Sequence, residues 1–351
     1  SMQTVRNYIA SCHKYGMKAI FYNLCFGALD DAAEDGVRED WYMYKDAGHQ
    51  TIDMHVLGSP FKSSVYLVNP ANSEWLEYIG GKTDDVYANL DFDGYQIDQL
   101  GGRKALYDYN GTSIDLPAGY ASFINEMKKR QPQKDLIMNA VSGYGADRIL
   151  GTRNTVFAYN EMWDGEAQYT DLKRVIEENE RYGGSGMKTV FAAYMNYDKS
   201  GSAGTFNTPG ILLTDAVIFA LGGSHLEMGE HMLCHEYFPN NNLGMTEELK
   251  SSLIAYYDFM TAYQNLLRDG GSFNNVTVTS ADGAYAIKSW EPATGNIITL
   301  AKQVSDRQVI HFLNFLNADS TSWRDLKGTM PEPQTVSNFS VTVQIPDSRQ
   351  V

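Results

Sequence analysis

Short apolar runs alternate with amphipathic stretches from the start of the chain to about residue 270. The runs are rich in β-branched and aromatic residues, and the stretches between them repeat apolar positions with helical period. This alternation is typical of βα units and a parallel sheet, whose doubly covered strands are nearly continuous in apolar residues. The predicted strands are Lys18–Tyr22, Val65–Val68, Gly94–Asp98, Leu136–Ala140, Thr155–Tyr159, Thr189–Tyr194 and Ser224–Met228.

Helices are predicted before and between these strands. The pattern favours an α/β fold of the (β/α)8 TIM barrel type, which needs eight parallel strands. We therefore expect the first barrel strand to lie before Met2. The predicted helices are Thr4–Lys14, Ser73–Tyr78, Tyr120–Arg130, Asp171–Arg181 and Thr246–Leu267.

The hydrophobic pattern changes to period two after Gly271, with turn residues between the runs. Period two indicates strands with one buried face. We predict a catalytic barrel over residues 1–271 and a C-terminal antiparallel β-sandwich-like domain over 272–351, whose completeness at Val351 stays open. The strands predicted in this second domain are Val276–Ser280, Ala284–Trp290, Ile297–Val304, Val309–Leu316 and Phe339–Ile345.

The charge balance narrows the choice of partner. The chain carries 28 Lys+Arg and 43 Asp+Glu residues, a formal net charge of −15. Nucleic acid is excluded as an expected partner because phosphate backbones are bound by clustered Lys and Arg side chains. The most apolar stretch, Ile211–Leu221, is too short to span a bilayer and contains Asp215, so no membrane insertion is predicted. Three cysteines are too few for a disulfide framework.

Asp98 is the first candidate catalytic residue. The segment Asp93–Gly101 (DGYQIDQLG) contains an apolar strand that delivers this carboxylate at its C-terminal end, just before a glycine. Catalytic groups of barrel enzymes lie at the C-terminal ends of strands. Alone, an Asp at a strand end serves equally well as a cap for the next helix.

Glu161 is the second candidate. It closely follows the predicted strand Thr155–Tyr159 and lies beside Trp163 and Asp164 in the sequence. Strand ends of a closed barrel face the same mouth, so Asp98 and Glu161 are expected to meet across one pocket. Two such carboxylates are what glycoside hydrolysis requires, one ionised and one carrying a proton. Trp163 is predicted to supply an apolar flank that raises the pKa of Glu161.

Polar and aromatic residues follow several other predicted strands. Amide and carboxylate side chains can hydrogen-bond sugar hydroxyls, and flat rings offer stacking faces. Stacking candidates are Trp41, Tyr42, Tyr44 and Tyr144. The predicted substrate-binding residues are Tyr22, Asn23, His55, Asn139, Trp163, Asp164, Asn196 and Glu227.

The sequence gives less support to three other kinds of site: a zinc site, a phosphate-binding loop and a serine nucleophile. The group His225, His231, Cys234 and His235 matches no established zinc spacing. Gly183–Thr189 differs from a phosphate-binding loop because it precedes a strand and its Lys does not follow the required Gly. No Gly-x-Ser-x-Gly motif offers a serine nucleophile. Neither a metal nor a cofactor is therefore predicted.

Four segments of the chain resemble glycoside hydrolase family 66, the family of endo-dextranases and cycloisomaltooligosaccharide glucanotransferases. The likeness covers most of residues 4 to 270 in the same order. It rests on Val68–Trp75 (VNPANSEW), Asp93–Gly101 (DGYQIDQLG), Tyr159–Asp164 (YNEMWD) and Gly222–Asn240 (GGSHLEMGEHMLCHEYFPN).

The resemblance implies roles for both carboxylates. It places the nucleophile on Asp98 and the acid/base on Glu161, which agrees with the choice made from the residues alone. It further implies retention through a covalent glucosyl-enzyme intermediate, an α-1,6-glucan such as dextran or isomaltooligosaccharides as substrate, a (β/α)8 catalytic domain, an N-terminal immunoglobulin-like domain and a C-terminal β-domain.

Two features of the sequence depart from the family pattern. We expect the N-terminal domain and the first strand to lie outside this sequence, and we find no room between Thr155 and Gly270 for the carbohydrate-binding module that the glucanotransferases carry. The second departure favours endo-dextranase over the glucanotransferase, and a non-catalytic glucan-binding barrel remains a third reading. Because dextran is extracellular, export of the full-length protein is expected, although no signal peptide is found in this sequence.

Overall fold

The computed structural model describes residues 1–228, 231–232, 234–235 and 240–344. The chain divides into two compact units, Ser1–Glu161 and Met162–Val351. Helices and strands alternate along the chain, which confirms the α/β class. The domain boundary between residues 271 and 272 is a different division of the chain and stays a prediction.

The first unit contains four helices and most of the strands predicted before residue 162. Its helices are α1 (Met2–Lys14), α2 (Ser73–Asn89), α3 (Leu116–Arg130) and α4 (Ala146–Gly151), with short 3-10 turns at Glu39–Trp41 and Val141–Gly143. Its strands are β1 (Ile20–Leu24), β2 (Gly27–Ala28), β3 (Met54–His55), β4 (Val65–Leu67), β5 (Gly94–Asp98), β6 (Asp135–Met138) and β7 (Ala158–Met162), the last of which ends at the first residue of the second unit.

A parallel sheet forms the centre of this unit. Strand β5 lies between β1 and β6, with Asp98 opposite Leu24 in the β1 register. Gly94 permits the close approach of β6, because a Cβ there would lie 2.2 Å from the carbonyl oxygen of Asp135. The predicted βα units around residues 94–138 are therefore confirmed, and Gly94–Asp98 has the predicted bounds.

The prediction of a parallel strand at Val65–Val68 is wrong. Strand β4 pairs antiparallel with both β2 and β3 in a separate three-stranded ribbon. Its side chains alternate, since Val65 and Leu67 are buried whereas Tyr66 is half-buried. Three apolar residues in a row thus belong to a short ribbon strand and not to a doubly covered strand.

The strand predicted at Thr155–Tyr159 lies further along the chain, at β7. Val156, at the start of the apolar run, is 46% exposed and precedes the strand, although its N–H bonds to the Leu136 carbonyl at 3.0 Å. The shift brings Glu161 inside the strand instead of after it.

The second unit contains the remaining elements. Its helices are α5 (Tyr169–Gly183), α6 (Thr208–Leu221), α7 (Glu247–Ala262) and α8 (Gln264–Leu267), with 3-10 turns at Asp164–Glu166 and Asp198–Gly201. Its strands are β8 (Thr189–Ala193), β9 (Gly204–Thr205), β10 (Ser224–His225), β11 (Glu227–Met228), β12 (His231–Met232), β13 (Leu243–Gly244), β14 (Ser272–Asn274), β15 (Val278–Ser280), β16 (Ile287–Ser289), β17 (Ile297–Val304), β18 (Arg307–Asn314) and β19 (Val341–Val343).

Helix α6 occupies the core of this unit and was not among the predicted helices. Asn207 caps its first turn by accepting a hydrogen bond from the Gly210 N–H, and the helix ends at Gly222 with a φ of 85°. It is apolar nearly all round, so helical period is hard to detect in its sequence. Among the described residues, no helix combines the length and apolar character that crossing a membrane requires.

After residue 271, strands β14, β16, β17 and β18 form a mixed sheet, and β15 pairs antiparallel with β19 in a separate two-stranded sheet. Strand β17 has the predicted bounds and pairs antiparallel with β14 and β18. Strand β16, however, runs parallel to β17, with Ile287 opposite Ile297, so a wholly antiparallel module is wrong. Residues 290–296 connect β16 to β17. The chain turns back within this connection, so the two strands run in the same direction. Part of the predicted strand Phe339–Ile345 lies outside the described residues.

His311 on β18 should make stability depend on pH. Burial, with a smaller contribution from Lys302, lowers the pKa of His311 to about 4 from an ordinary value of 6.5. Between these values the unfolded chain binds one more proton than the folded chain, so stability falls as the pH falls from 6.5 towards 4, by roughly 3 kcal/mol at most. Urea unfolding of His311→Leu should show a smaller loss over this window. If the free energy of unfolding depended on pH in the same way in both proteins, His311 would not be the source of the pH dependence.

Candidate active site

Asp98 lies at the C-terminal end of β5, where neighbouring groups hold its carboxylate in place. The Tyr22 hydroxyl, from the adjacent strand β1, donates to Oδ2 at 2.6 Å. The backbone N–H of Gln99 donates to Oδ1 at 2.9 Å. The parallel pairing of β1 and β5 explains this arrangement, since it aligns Tyr22 with Gln96, two positions before Asp98 on the same face of the sheet.

Asn139 joins Asp98 to Glu161. Its Nδ2 donates to Asp98 Oδ1 at 2.9 Å and to Glu161 Oε2 at 3.0 Å. Asn139 directly follows β6 and is only 4% exposed, and its backbone N–H bonds to the Ile97 carbonyl at 3.0 Å. The structure therefore brings together the two carboxylates that the sequence singles out.

The shared amide limits the distance between the two carboxylates. Both hydrogen bonds come from one nitrogen, so the two accepting oxygens lie within about 6 Å of each other. This is close to the separation of about 5 to 5.5 Å found in retaining glycosidases and shorter than the roughly 6.5 to 9.5 Å of inverting ones. The geometry suits direct attack by one carboxylate better than attack by an intervening water.

Three hydrogen-bond donors surround the Asp98 carboxylate, from the side chains of Tyr22 and Asn139 and the backbone of Gln99. Although Tyr22 as a whole is 59% exposed, partial burial around its hydroxyl raises the pKa of Tyr22, and the charges of Asp98 and Glu161 raise it further. Tyr22 therefore remains a hydrogen-bond donor at neutral pH.

Several residues of this cluster were missed by the sequence reasoning. Burial, followed by the charges of Glu161 and Asp98, raises the pKa of Tyr159, two positions before Glu161. Gln99 is 1% exposed, and its Nε2 donates to the Asn139 carbonyl at 3.2 Å. Side chains two positions apart on a strand lie on the same face of the sheet. Gln96 and Tyr159 each lie two positions before a carboxylate, and this spacing could have identified them.

Two predicted sugar contacts of the first unit lie apart from the bonds around Asp98. The Oδ1 of Asn23 accepts from the Leu24 N–H at 2.9 Å, and Asn23 points to the face of β1 opposite Tyr22. His55 lies in β3, beside an Asp53–Arg103 ion pair with an N–O distance of 2.7 Å. Burial and the Arg103 charge lower the pKa of His55, so it is neutral at pH 7. Sugar binding by Asn23 and His55 stays a prediction.

The four stacking candidates differ in exposure. Trp41 is 5% exposed and Tyr44 is 1% exposed, so both belong to the core and neither offers a free face. Trp41 also donates from Nε1 to Glu74 at 2.8 Å. Tyr42 and Tyr144 are half-buried, and stacking of a sugar on either ring stays a prediction.

In the second unit, Asp164 has a partner that no sequence signal indicated. It pairs with Arg324, which lies 160 positions further along the chain and whose side chain is 2% exposed. The Arg324 guanidinium also lies 5.8 Å from the centroid of the Trp163 ring. Asp164 and Trp163 thus share one cationic neighbour.

Asn196 and Glu227 complete the predicted set. Asn196 is 0% exposed, and its Nδ2 donates to the Asp325 carbonyl at 2.7 Å while its Oδ1 accepts from the Asn207 N–H at 2.8 Å. These bonds fix loops of the second unit and do not support sugar binding by Asn196. Glu227 begins β11, but its side chain lies outside the described part of the structure.

His225, one of the residues weighed as a zinc ligand, forms a buried pair with Asp215. Its Nδ1 lies 2.7 Å from Asp215 Oδ1, and its Nε2 donates to the Ala193 carbonyl at 2.9 Å. Both ring nitrogens are therefore engaged within the core. Over the described ranges, no three His, Cys, Asp or Glu side chains group around a possible ion, and the His231 side chain falls outside those ranges.

Removing one partner of this pair should destabilise the second unit strongly. His225→Leu leaves the Asp215 carboxylate, 0% exposed, buried without its imidazole. The expected cost is about 3 to 5 kcal/mol, which corresponds to roughly 10 °C in the melting temperature. Thermal unfolding followed by circular dichroism measures it. The double variant His225→Leu/Asp215→Asn should recover part of the loss, and an unchanged melting temperature for the single variant would contradict the account.

A family model described as glycosyl hydrolase family 66 matches residues 1–351. The chain is 25% identical over 490 residues to a cycloisomaltooligosaccharide glucanotransferase from Niallia circulans, covering 98% of this chain and 49% of that protein. It is 25% identical over 390 residues to a dextranase from Streptococcus salivarius, covering 98% of this chain and 47% of that protein. The chain thus spans about half the length of the curated relatives it matches.

A solved structure shares the fold. The crystal structure of a Paenibacillus sp. cycloisomaltooligosaccharide glucanotransferase complexed with cycloisomaltoheptaose matches with a TM-score of 0.90 and 22% sequence identity. The match covers 100% of this chain and 69% of the other. At this identity the likeness establishes the fold alone.

Proposed function

The chain belongs to glycosyl hydrolase family 66, and from this premise we propose that it hydrolyses α-1,6-glucosidic bonds within dextran, with retention of anomeric configuration. The observation that carries the proposal is the amide of Asn139, which holds the carboxylates of Asp98 and Glu161 within about 6 Å of each other. The dextranase among the relatives supports the choice of substrate.

The first step forms a covalent intermediate. An Asp98 oxygen attacks the anomeric carbon from the face opposite the leaving group, and the bond from that carbon to the glucan oxygen breaks. Glu161 delivers its proton to the departing oxygen, which leaves as a hydroxyl. The donors around Asp98 support its role as the charged nucleophile.

The second step reverses the roles. Glu161, now ionised, takes a proton from water as the water oxygen attacks the anomeric carbon. The bond to Asp98 breaks, its carboxylate is restored, and Glu161 is protonated again. Two inversions at one carbon give net retention.

Hydrolysis is favoured over cyclising transfer by the alignments. The aligned span is 490 residues for the glucanotransferase and 390 residues for the dextranase, although each covers 98% of this chain. The glucanotransferase therefore has more inserted sequence within the matched region, which agrees with the expected lack of its additional module here. Transfer to a hydroxyl of the same glucan remains the second candidate.

The finer architecture is part of the same proposal. The βα units are assigned to a (β/α)8 barrel within residues 1–271, followed by a C-terminal β-domain over 272–351. The alternation of helices and strands and the likeness to the Paenibacillus structure support this assignment. Secretion of the full-length protein is proposed because its substrate is an extracellular polymer.

Product analysis tests the proposal. Dextran is incubated with the chain and with Asp98→Asn and Glu161→Gln, and the products are separated by chromatography. Linear isomaltooligosaccharides from the unmutated chain alone are expected. Cyclic products would favour the glucanotransferase, and a chain that binds dextran without releasing any product would favour a glucan-binding barrel.

A further inference from the structure

A cavity of about 210 Å³ lies in the second unit, against helix α5 and the sheet that contains β14, β16 and β17. None of its lining residues belongs to the proposed catalytic pair or to the predicted sugar contacts. We call it the α5 cavity. It is lined by Lys173, Glu177, Phe273, Asn274, Asn275, Val276, Ser289, Trp290, Thr299, Leu300 and Ala301.

The charges of the α5 cavity are neutralised internally. Lys173 pairs with Glu177, four positions along the same helix, and its Nζ lies 4.6 Å from the centroid of the Phe273 ring. A second cation, Lys302, lies 5.6 Å from the same ring and donates to the Leu267 carbonyl. With both cations engaged in this way, the lining favours a neutral ligand over an anion.

Several polar groups of the lining are free to bind. Asn275 and Ser289 are exposed, and neither side chain has a hydrogen-bond partner among the residues that the structure describes. The same holds for the indole N–H of Trp290. Asn274 differs, because its amide exchanges two hydrogen bonds with Gln308, at 2.8 and 3.0 Å. The lining therefore combines the Trp290 ring, whose own N–H is unengaged, with two unengaged polar side chains, Asn275 and Ser289.

We propose that the α5 cavity binds a hexose unit of the glucan at a site separate from the catalytic residues. A hexose presents C–H groups on its faces and hydroxyls around its edge, which matches the Trp290 ring combined with the side chains of Asn275 and Ser289. The site takes a neutral sugar and leaves the Lys173–Glu177 pair intact. The inference rests on the proposed function for the choice of sugar, and a polymeric substrate is long enough to occupy two sites at once.

Dextran affinity electrophoresis of the full chain tests the site. All variants are made in an Asp98→Asn background, so that the polymer in the gel is not consumed. Trp290→Ala should raise the apparent dissociation constant for dextran at least about fivefold. The double variant Asn275→Ala/Ser289→Ala should also raise the apparent dissociation constant for dextran. Because both side chains are exposed, these substitutions should leave folding intact. Phe312→Ala, which removes a 43% exposed ring outside the cavity, should leave mobility unchanged.

The outcomes separate this inference from the proposed catalysis. Equal retardation of the parent, Trp290→Ala and the double variant would overturn the site, as would a parent that dextran does not retard. In parallel, product formation from a short isomaltooligosaccharide is measured with proteins that keep Asp98. In these proteins Trp290→Ala should retain hydrolytic activity. If no product forms but retardation depends on Trp290, the proposed catalysis fails while the binding site stands.

Discussion

Replacing Asp98 by Asn is expected to lower kcat/KM on dextran by about four orders of magnitude or more. The substitution keeps the size of the side chain but removes the nucleophilic charge that Tyr22, Gln99 and Asn139 surround with donors. Release of reducing ends measures the rate. Asp91→Asn is the matched control, because Asp91 lies seven positions earlier in the chain with a side chain that is 87% exposed, and it should keep activity.

Azide distinguishes the roles of the two carboxylates. In Asp98→Ala, azide can take the place of the missing nucleophile and should yield the β-glucosyl azide, with inverted configuration. In Glu161→Ala, Asp98 still forms the intermediate, so azide should attack that intermediate and yield the α-glucosyl azide. The opposite pattern of anomers would exchange the two assignments.

Asn139 should produce the second largest effect. Asn139→Ala removes a donor that both carboxylates share, and kcat/KM is expected to fall by about 10² to 10³. Without the amide, the Asp98 carboxylate loses one of its hydrogen-bond donors. Since a donor to the charged form favours ionisation, its loss should move the acidic limb of the pH profile of activity to higher pH.

The pH profile makes the test of Asn139 specific. A merely structural role would lower activity at every pH without moving the limb. Asn125→Ala, at an exposed amide that accepts from Asn154 at 2.9 Å, serves as the control. A limb that stays in place in Asn139→Ala, with a melting temperature equal to that of the parent, would contradict a role in setting the charge of the pair.

The sequence predicted that Asp98 and Glu161 lie close together because each carboxylate belongs to a local strand pattern. An apolar strand that ends in a carboxylate made Asp98 a candidate, and β5 has the predicted bounds. The likeness to family 66 was confirmed by the family match over residues 1–351. Asn139 was found as a polar residue after a strand, although its bonds to both carboxylates could not be read from one segment.

The remaining features depend on pairing between distant segments. The apolar run at Val65–Val68 suits either a buried parallel strand or a ribbon, and only its antiparallel partners decide between them. The bond from Arg324 to Asp164 joins residues 160 positions apart, and the sequence around either residue gives no signal that predicts it. Asn196 was predicted to bind sugar because a polar residue after a strand has the same sequence signal whether it faces a ligand or the core, and the structure shows it to be 0% exposed.

The anomer released first tests the central claim most directly. Proton NMR of a short isomaltooligosaccharide, recorded within the first minutes of reaction, distinguishes α from β reducing ends before mutarotation mixes them. The close placement of Asp98 and Glu161 predicts that the α-anomer appears first, through two inversions at the same carbon. Initial release of the β-anomer would show single displacement by water and would contradict the role of Asp98 as nucleophile.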